Sequence, residues 1–412
     1  MLAPDAPTLK PEVASLPMDE ELPGLLRLFD SEWVWDAFCA QFGSPEEPPQ
    51  RIRPRQLLYR PGARAVVGYV AERQWARWVV EEEFAIELVA GKPERLFRFP
   101  DDPYLPGLRP MAFAPDAQEL LTKYVRLHPQ RLHVEAVRYR PATRAVLRHI
   151  AGWRRSSVGE VILFARVMPP ERVGRLLAAA ELAERSGFVL PRLAGCWPEG
   201  GVVWLAGVPG ETVRSLIRQG TPPDPQLFLD GLAPLWASPL SQDAGRPLDV
   251  AAGFRWTNRL LSQVLQDDVP RQALQRAAAA LGPFVEAWRP SAVAHNDFYD
   301  DQVVLAPSGR LALVDFEETG PGDPLLDVGN FLAHLRRMAS TGSAAEACDT
   351  YRRRFRAAAL ERFGWEEREL ALREAYSLFR LSANPFRTLQ RDWPQAVQAG
   401  LALAVEALDE TA

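Results

Sequence analysis

The sequence predicts an α+β protein with strands first and helices later, and three observations carry that prediction. Alternating apolar patterns dominate from about Arg51 to Val208. Long Ala-, Leu- and Arg-rich helical patterns take over from about Pro222 to the end. Within the strand-rich part, Tyr59-Arg60-Pro61-Gly62-Ala63-Arg64-Ala65-Val66 recurs as Tyr139-Arg140-Pro141-Ala142-Thr143-Arg144-Ala145-Val146, offset by 80 residues.

A chain of 412 residues has room for two or three domains with substantial cores. Its formal charge of −5 supplies no overall basic field for a nucleic acid or an anionic membrane, so neither partner is expected. Cys39, Cys196 and Cys348 are too far apart for a disulfide framework or a zinc motif. The Pro- and acid-rich start, Met1 to Asp30, lacks a basic segment followed by an apolar one, and no stretch approaches the ~18 apolar residues of a membrane span. A cytoplasmic location is expected. One count is unusual: Lys10, Lys92 and Lys123 are the only lysines, so 45 of the 48 basic residues are arginine.

Each copy of the repeat reads as strand, tight turn, strand, loop, strand, with Pro fixing φ at the turn. Phe84-Ala85-Ile86 lines up with Phe164-Ala165-Arg166 at the same offset, which places Ile86 opposite Arg166. The breaker-rich run Phe99–Leu108 separates the copies and puts a boundary near residue 125. In the second copy, Val158–Met168 should be a strand with Phe164 and Arg166 on one face. A helix from about Glu171 to Ser186, ended by Gly187, and a hairpin turning at Pro198-Glu199-Gly200-Gly201 should follow. The expected organisation is an accessory domain over 1–125, possibly a degenerate copy, a nucleotide-binding lobe over 126–208 and a helical lobe over 209–412.

The chemistry is concentrated in Ala294-His295-Asn296-Asp297-Phe298-Tyr299-Asp300-Asp301-Gln302, which runs into a short hairpin ending in Asp315-Phe316-Glu317. That layout gathers Asp297, Gln302 and Asp315 at one sheet edge. Phosphoryl transfer needs a group that orients an acceptor hydroxyl, and oxygen ligands that hold Mg²⁺ on the phosphates. Asp297 suits the first task; the Gln302 amide oxygen and the Asp315 carboxylate suit the second.

At these residues the sequence resembles the aminoglycoside phosphotransferase and choline kinase-like family of small-molecule kinases. The matching anchors are His295, Asp297, position 302, Asp315-Phe316-Glu317 and Gly322-Asp323-Pro324-Leu325-Leu326-Asp327. Gln302 stands where most members carry Asn, and maltokinase-like members of the family also use Gln there. The resemblance implies a bilobal protein-kinase-like fold, ATP and Mg²⁺ as cofactors, and a small-molecule hydroxyl acceptor, with a sugar or amino sugar as one class. It implies that Asp297 is the catalytic base and Asp315 a metal ligand, that His295 braces its loop, and that Asp327 accepts backbone N–H bonds from it. At the family's nucleotide lysine this chain has Arg166, for which the following helix offers Glu181 or Glu184 as carboxylate partner, with Glu181 preferred. Ala206 and Val208 fall in the hinge expected to bind the nucleotide base. A weak or inactive nucleotide- or metabolite-binding module is the alternative, since arginine does not reproduce the lysine geometry. The Arg- and aromatic-rich stretch Leu378–Arg387 is expected on the acceptor side.

Overall fold

The computed structural model describes residues 18–43, 49, 51–75, 78–153, 159–240, 245–342 and 344–410. Residues 1–17 of the acidic start, and Val158 at the edge of the expected third strand, lie outside the described residues. Helix α1 (Ser31–Phe42) is capped by Asp30, whose carboxylate accepts the Glu32 and Trp33 N–H groups. It covers an antiparallel sheet of β1 (Arg51–Arg60), β2 (Arg64–Trp75), β3 (Trp78–Val89) and β4 (Arg95–Arg98), in that order.

Two short helices, α2 (Leu108–Ala112) and α3 (Ala114–Leu120), lead to a second sheet. Its strands are β5 (Arg131–Arg140), β6 (Arg144–Gly152), β7 (Val161–Val167), β8 (Leu193–Trp197) and β9 (Val202–Ala206), ordered β5-β6-β7-β9-β8. Helix α4 (Val173–Ala183) links β7 to β8 and ends four residues before Gly187. Gly187 is therefore not its cap; it donates its N–H to the Gly231 carbonyl at 2.8 Å in a later helix.

The two sheets share the construction of their first turn. Tyr59 pairs with Ala65 as Tyr139 pairs with Ala145. Gly62 (φ 73°) and Ala142 (φ 57°) both enter the left-handed region. Asp19 accepts the Tyr59 hydroxyl at 2.7 Å and the Gly62 N–H at 2.8 Å. Asp102 accepts the Tyr139 hydroxyl at 2.9 Å and the Ala142 N–H at 2.7 Å.

The third strands are one residue out of the sequence alignment. Val66 pairs with Glu87, whereas Val146 pairs with Arg166. Pairing register, not residue identity, fixes equivalence in a sheet, so the counterpart of Arg166 is Glu87 rather than Ile86. Glu87 is buried against Arg64 and the Tyr104 hydroxyl. The first sheet thus carries an internally neutralised pair where the second carries a cation.

The remaining chain forms β10 (Glu211–Thr212), α5 (Val213–Arg218), α6 (Pro225–Trp236), α7 (Val250–Val264) and α8 (Asp268–Ala287). Then come β11 (Ala292–Ala294), β12 (Val303–Leu305), β13 (Leu311–Leu313), β14 (Gly320–Gly322), α9 (Pro324–Ser340) and α10 (Ala345–Phe363). Helices α11 (Glu367–Leu381), α12 (Asn384–Arg387) and α13 (Trp393–Asp409) complete the fold. The first sheet has no closed core of its own: Leu57, Tyr69 and Phe84 share one apolar cluster with Leu260, Leu281, Phe379 and Leu401. The arginine excess is partly structural, since buried Glu374 on α11 lies 3.3 Å from Arg336 on α9 and 3.3 Å from Arg352 on α10. Among the described residues, no helix is long and apolar enough to cross a membrane.

Candidate active site

The β12–β13 hairpin sets the centre of the site. Val303 pairs with Leu313, and the Val314 N–H donates to the Gln302 carbonyl at 2.9 Å, so Gln302 and Asp315 emerge side by side. Gln302 Nε2 donates to Asp297 Oδ2 at 3.2 Å. That bond turns the amide oxygen away, and Gln302 Oε1 is buried with no partner among the described residues. An orphaned amide oxygen beside a carboxylate is a donor set that fits Mg²⁺, which binds through one or two protein oxygens and keeps the rest of its shell for water and phosphate. Asp297 is pushed up to about 6: burial raises it, Arg380 opposes, and Asp315 and Glu318 add to the rise.

The loop under Asp297 is held from below. Asp327, in the first turn of α9 and fully buried, accepts the His295 N–H at 2.8 Å, the Asn296 N–H at 2.7 Å and the Trp236 indole N–H at 2.9 Å. Burial still lifts its carboxyl to about 7, which shows how strongly desolvation competes with three donors. His295 Nε2 lies 2.5 Å from the Asp315 carbonyl, and its Nδ1 is 3.3 Å from the Asp297 N–H. Burial depresses the ring to about 4, so it stays neutral, donating from Nε2 and accepting at Nδ1. Asn296 takes φ 68° and donates its side-chain amide to the Glu318 carbonyl. A Cβ on Gly322 would meet Asn296 Oδ1 at 1.9 Å, so only glycine fits the neighbouring strand. Asp300 and Asp301 are engaged elsewhere, by Arg214 at 2.7 and 3.1 Å.

Arg166 enters from β7 in the opposite lobe. Its Nη1 donates to Asp315 Oδ1 at 3.1 Å and Glu317 Oε1 at 2.6 Å, while Nη2 donates to the Val314 carbonyl at 2.7 Å. Arg144 joins Glu317 from the other side at 3.0 Å. The expected helix partner is corrected: Glu181 and Glu184 are both exposed, and the carboxylates on Arg166 come from the loop after β13. The start of α4 instead presents Arg172 and Arg175 to a pocket shared with Arg144, Arg166 and Glu317, with Arg175 paired to Glu318. Of the expected hinge residues, Ala206 spends its N–H on the Arg192 carbonyl at 2.9 Å. Val208 lies just beyond the end of β9, outside the sheet ladder.

A cavity of about 420 Å³ joins these groups. Asp297, Gln302, Asp315, Glu317 and Glu318 line it together with Arg138, Arg140, Arg144, Arg172, Arg380 and Arg387. The stretch expected on the acceptor side contributes Arg380, Leu381, Asn384 and Arg387, whereas its aromatic residues Phe379 and Phe386, and Trp393 beyond it, are buried in the core. Arg138 and Glu318 were not legible beforehand, because the only sequence signal for either is its place beside a motif.

The profile of the phosphotransferase enzyme family matches residues 171–372. No curated protein matches the chain. Among solved structures, a thermostable mutant of aminoglycoside phosphotransferase APH(4)-Ia is similar, with a TM-score of 0.51 and 15% identity over 70% of this chain and 98% of that one. An ethanolamine kinase from Plasmodium vivax gives 0.47 and 11%, over 73% of this chain and 96% of that one. A choline/ethanolamine kinase family protein from Mesorhizobium loti gives 0.48 and 16%, over 72% and 96%. At such identities the first likeness establishes the fold, which is α+β, bilobal and protein-kinase-like.

Proposed function

We propose, from the premise that this chain belongs over residues 171–372 to the phosphotransferase enzyme family, that it transfers the γ-phosphoryl group of ATP to a hydroxyl of a small polar molecule. The observation that carries the proposal is the triad of Asp297, Gln302 and Asp315, with Asp297 oriented by Gln302 Nε2 and Gln302 Oε1 left unpartnered. Asp297 orients the acceptor hydroxyl and takes its proton as ADP leaves. Gln302 Oε1 and Asp315 hold Mg²⁺, which when bound neutralises phosphate charge. Arg166 and Arg144 face the phosphates from the β-rich lobe, and Ala206 and Val208 lie where the nucleotide base meets the hinge. His295 and Asp327 are positioning residues that fix the loop.

The ion pair between Arg166 and Asp315 favours a second reading, a module that binds nucleotide with little turnover, because the same carboxylate is needed for the metal. A thermal-shift titration with Mg²⁺ and ATP on wild type and Asp315→Asn tests the site. Wild type is expected to gain stability with nucleotide, and the gain in Asp315→Asn should no longer depend on Mg²⁺. No shift in wild type at millimolar nucleotide contradicts both readings.

A further inference from the structure

The arginines of this cavity and of the adjoining pocket between β6, β7 and α4 divide into two groups. Arg144, shared by both, and Arg166 and Arg175 of the adjoining pocket are neutralised by Asp315, Glu317 and Glu318. Arg138 and Arg140 on β5, Arg380 on α11 and Arg387 on α12 line the cavity of about 420 Å³ and have no carboxylate partner among the described residues; Arg172, exposed at the start of α4, also lines it unpaired. The closest polar and ring contacts of Arg380 and Arg387 are uncharged: Arg387 Nη1 donates to Asn384 Oδ1 at 3.2 Å and lies over the Trp256 ring, and Arg380 lies over the Tyr376 ring. In a chain with more acids than bases, these cations crowd one another at a site instead of being paired.

Such crowding is unfavourable without a ligand, because like charges in a partly desolvated cleft repel. Arg140 records it: burial and the neighbouring Arg138, Arg144 and Arg387 lower its pKa to about 10. Planar guanidinium groups pair bidentately with carboxylate or phosphate, which relieves both desolvation and repulsion. The nucleotide phosphates have Arg144 and Arg166 in the β-rich lobe. Arg380 and Arg387 come from the opposite lobe, and Arg380 is the cation that acts most strongly on Asp297.

Resting on the phosphotransferase reading, we infer that the acceptor is an anionic alcohol, a small molecule that presents its hydroxyl to Asp297 and a carboxylate or phosphate group to Arg380, Arg387 and Arg140. This excludes cationic amino alcohols and amino sugars as preferred acceptors, since the cluster would repel them.

The test uses the full chain saturated with Mg²⁺ and the non-hydrolysable analogue AMP-PNP, so that the nucleotide phosphate positions are filled. Inorganic phosphate and gluconate are titrated at constant ionic strength, with glucose and choline chloride as controls, and binding is read by thermal shift. At least one anion should bind saturably at millimolar concentration. Arg387→Gln should weaken that binding tenfold or more while leaving the AMP-PNP shift within twofold, and Arg387→Lys should restore part of it. Response to phosphate, gluconate or both tells which group the site takes. Absence of saturable binding by either anion, equal binding by Arg387→Gln, or tighter binding of choline overturns the inference. AMP-PNP binding with no anion binding refutes only the anionic acceptor, whereas anion binding without any AMP-PNP shift refutes only the kinase reading.

Discussion

Arg166 Nη1 lies 3.1 Å from Asp315 Oδ1, so the one cation on the third strand of the nucleotide-side sheet and the carboxylate assigned to the metal neutralise each other across the two lobes. Burial alone would raise Asp315, but the charges of Arg166 and then Arg144 outweigh it and hold the carboxyl below its ordinary range. Arg166 is correspondingly raised: burial works against its charge, and Asp315 and Glu317 overcome it.

Arg166→Ala should therefore destabilise the protein, because it removes the ion-pair partner of Asp315 and leaves Arg144 as the remaining cation beside Asp315 and Glu317. With the Arg166 side chain 13% exposed and Asp315 25% exposed, about 2–4 kcal/mol is expected in urea denaturation at pH 7. A carboxylate with a depressed pKa contributes stability above its unfolded value and loses it as pH falls through the folded value. The difference between wild type and variant should thus shrink below the ordinary value of 3.8. A pH-independent difference contradicts the pairing.

Asp297 behaves in the opposite sense. Its folded pKa of about 6 exceeds the ordinary 3.8, so its contribution to stability is full below 3.8 and lost as pH rises through about 6. Asp297→Asn should stabilise the fold at pH 7, by on the order of 1–2 kcal/mol, and not at pH 3.5. In the wild type, kcat/KM should rise with pH and level off above about 6, as the base ionises. A flat profile between pH 5 and 7 contradicts the assignment.

Asp327→Ala removes the acceptor for the His295, Asn296 and Trp236 N–H groups together. Each buried orphan costs about 1–3 kcal/mol, so a loss of about 3–5 kcal/mol is expected in denaturant unfolding. Activity should fall more through kcat than through the KM for ATP, since the loop that aims Asp297 loosens. Unchanged stability rules out the bracing role.

The two turn aspartates provide a matched control. Asp102→Ala should raise the KM for ATP several-fold, because Asp102 fixes the turn at Ala142 that leads to Arg144. Asp19→Ala removes the same two bonds from the first sheet, where Arg64 is already closed by Glu87, and should lower Tm without changing that KM. Equal effects on ATP from both variants contradict the division between the sheets.

The loop of the candidate site was legible because its order of acids and amide follows a local spacing that one hairpin converts into proximity. His295, Asp297, Gln302, Asp315 and Asp327 come together for that reason. The partner of Arg166 was not legible: Asp315 lies 149 residues away, whereas Glu181 and Glu184 stand much nearer in the sequence. The equivalence of Glu87 and Arg166 was hidden by a one-residue register difference that sequence identity does not report. The arginine excess explained itself only in three dimensions. Some arginines tie helices to Glu374, some close on the acidic loop, and Arg138, Arg140, Arg380 and Arg387 are left facing the cavity.

The most direct test of the central claim is phosphate transfer from ATP by wild type and Asp297→Asn, measured side by side with ATP affinity across a panel of hydroxyl compounds. Wild type should phosphorylate at least one compound, and the variant should bind ATP within about twofold of wild type while transfer falls by on the order of 10²–10⁴. Equal transfer by both proteins would contradict the role of Asp297, and with it the account of the site.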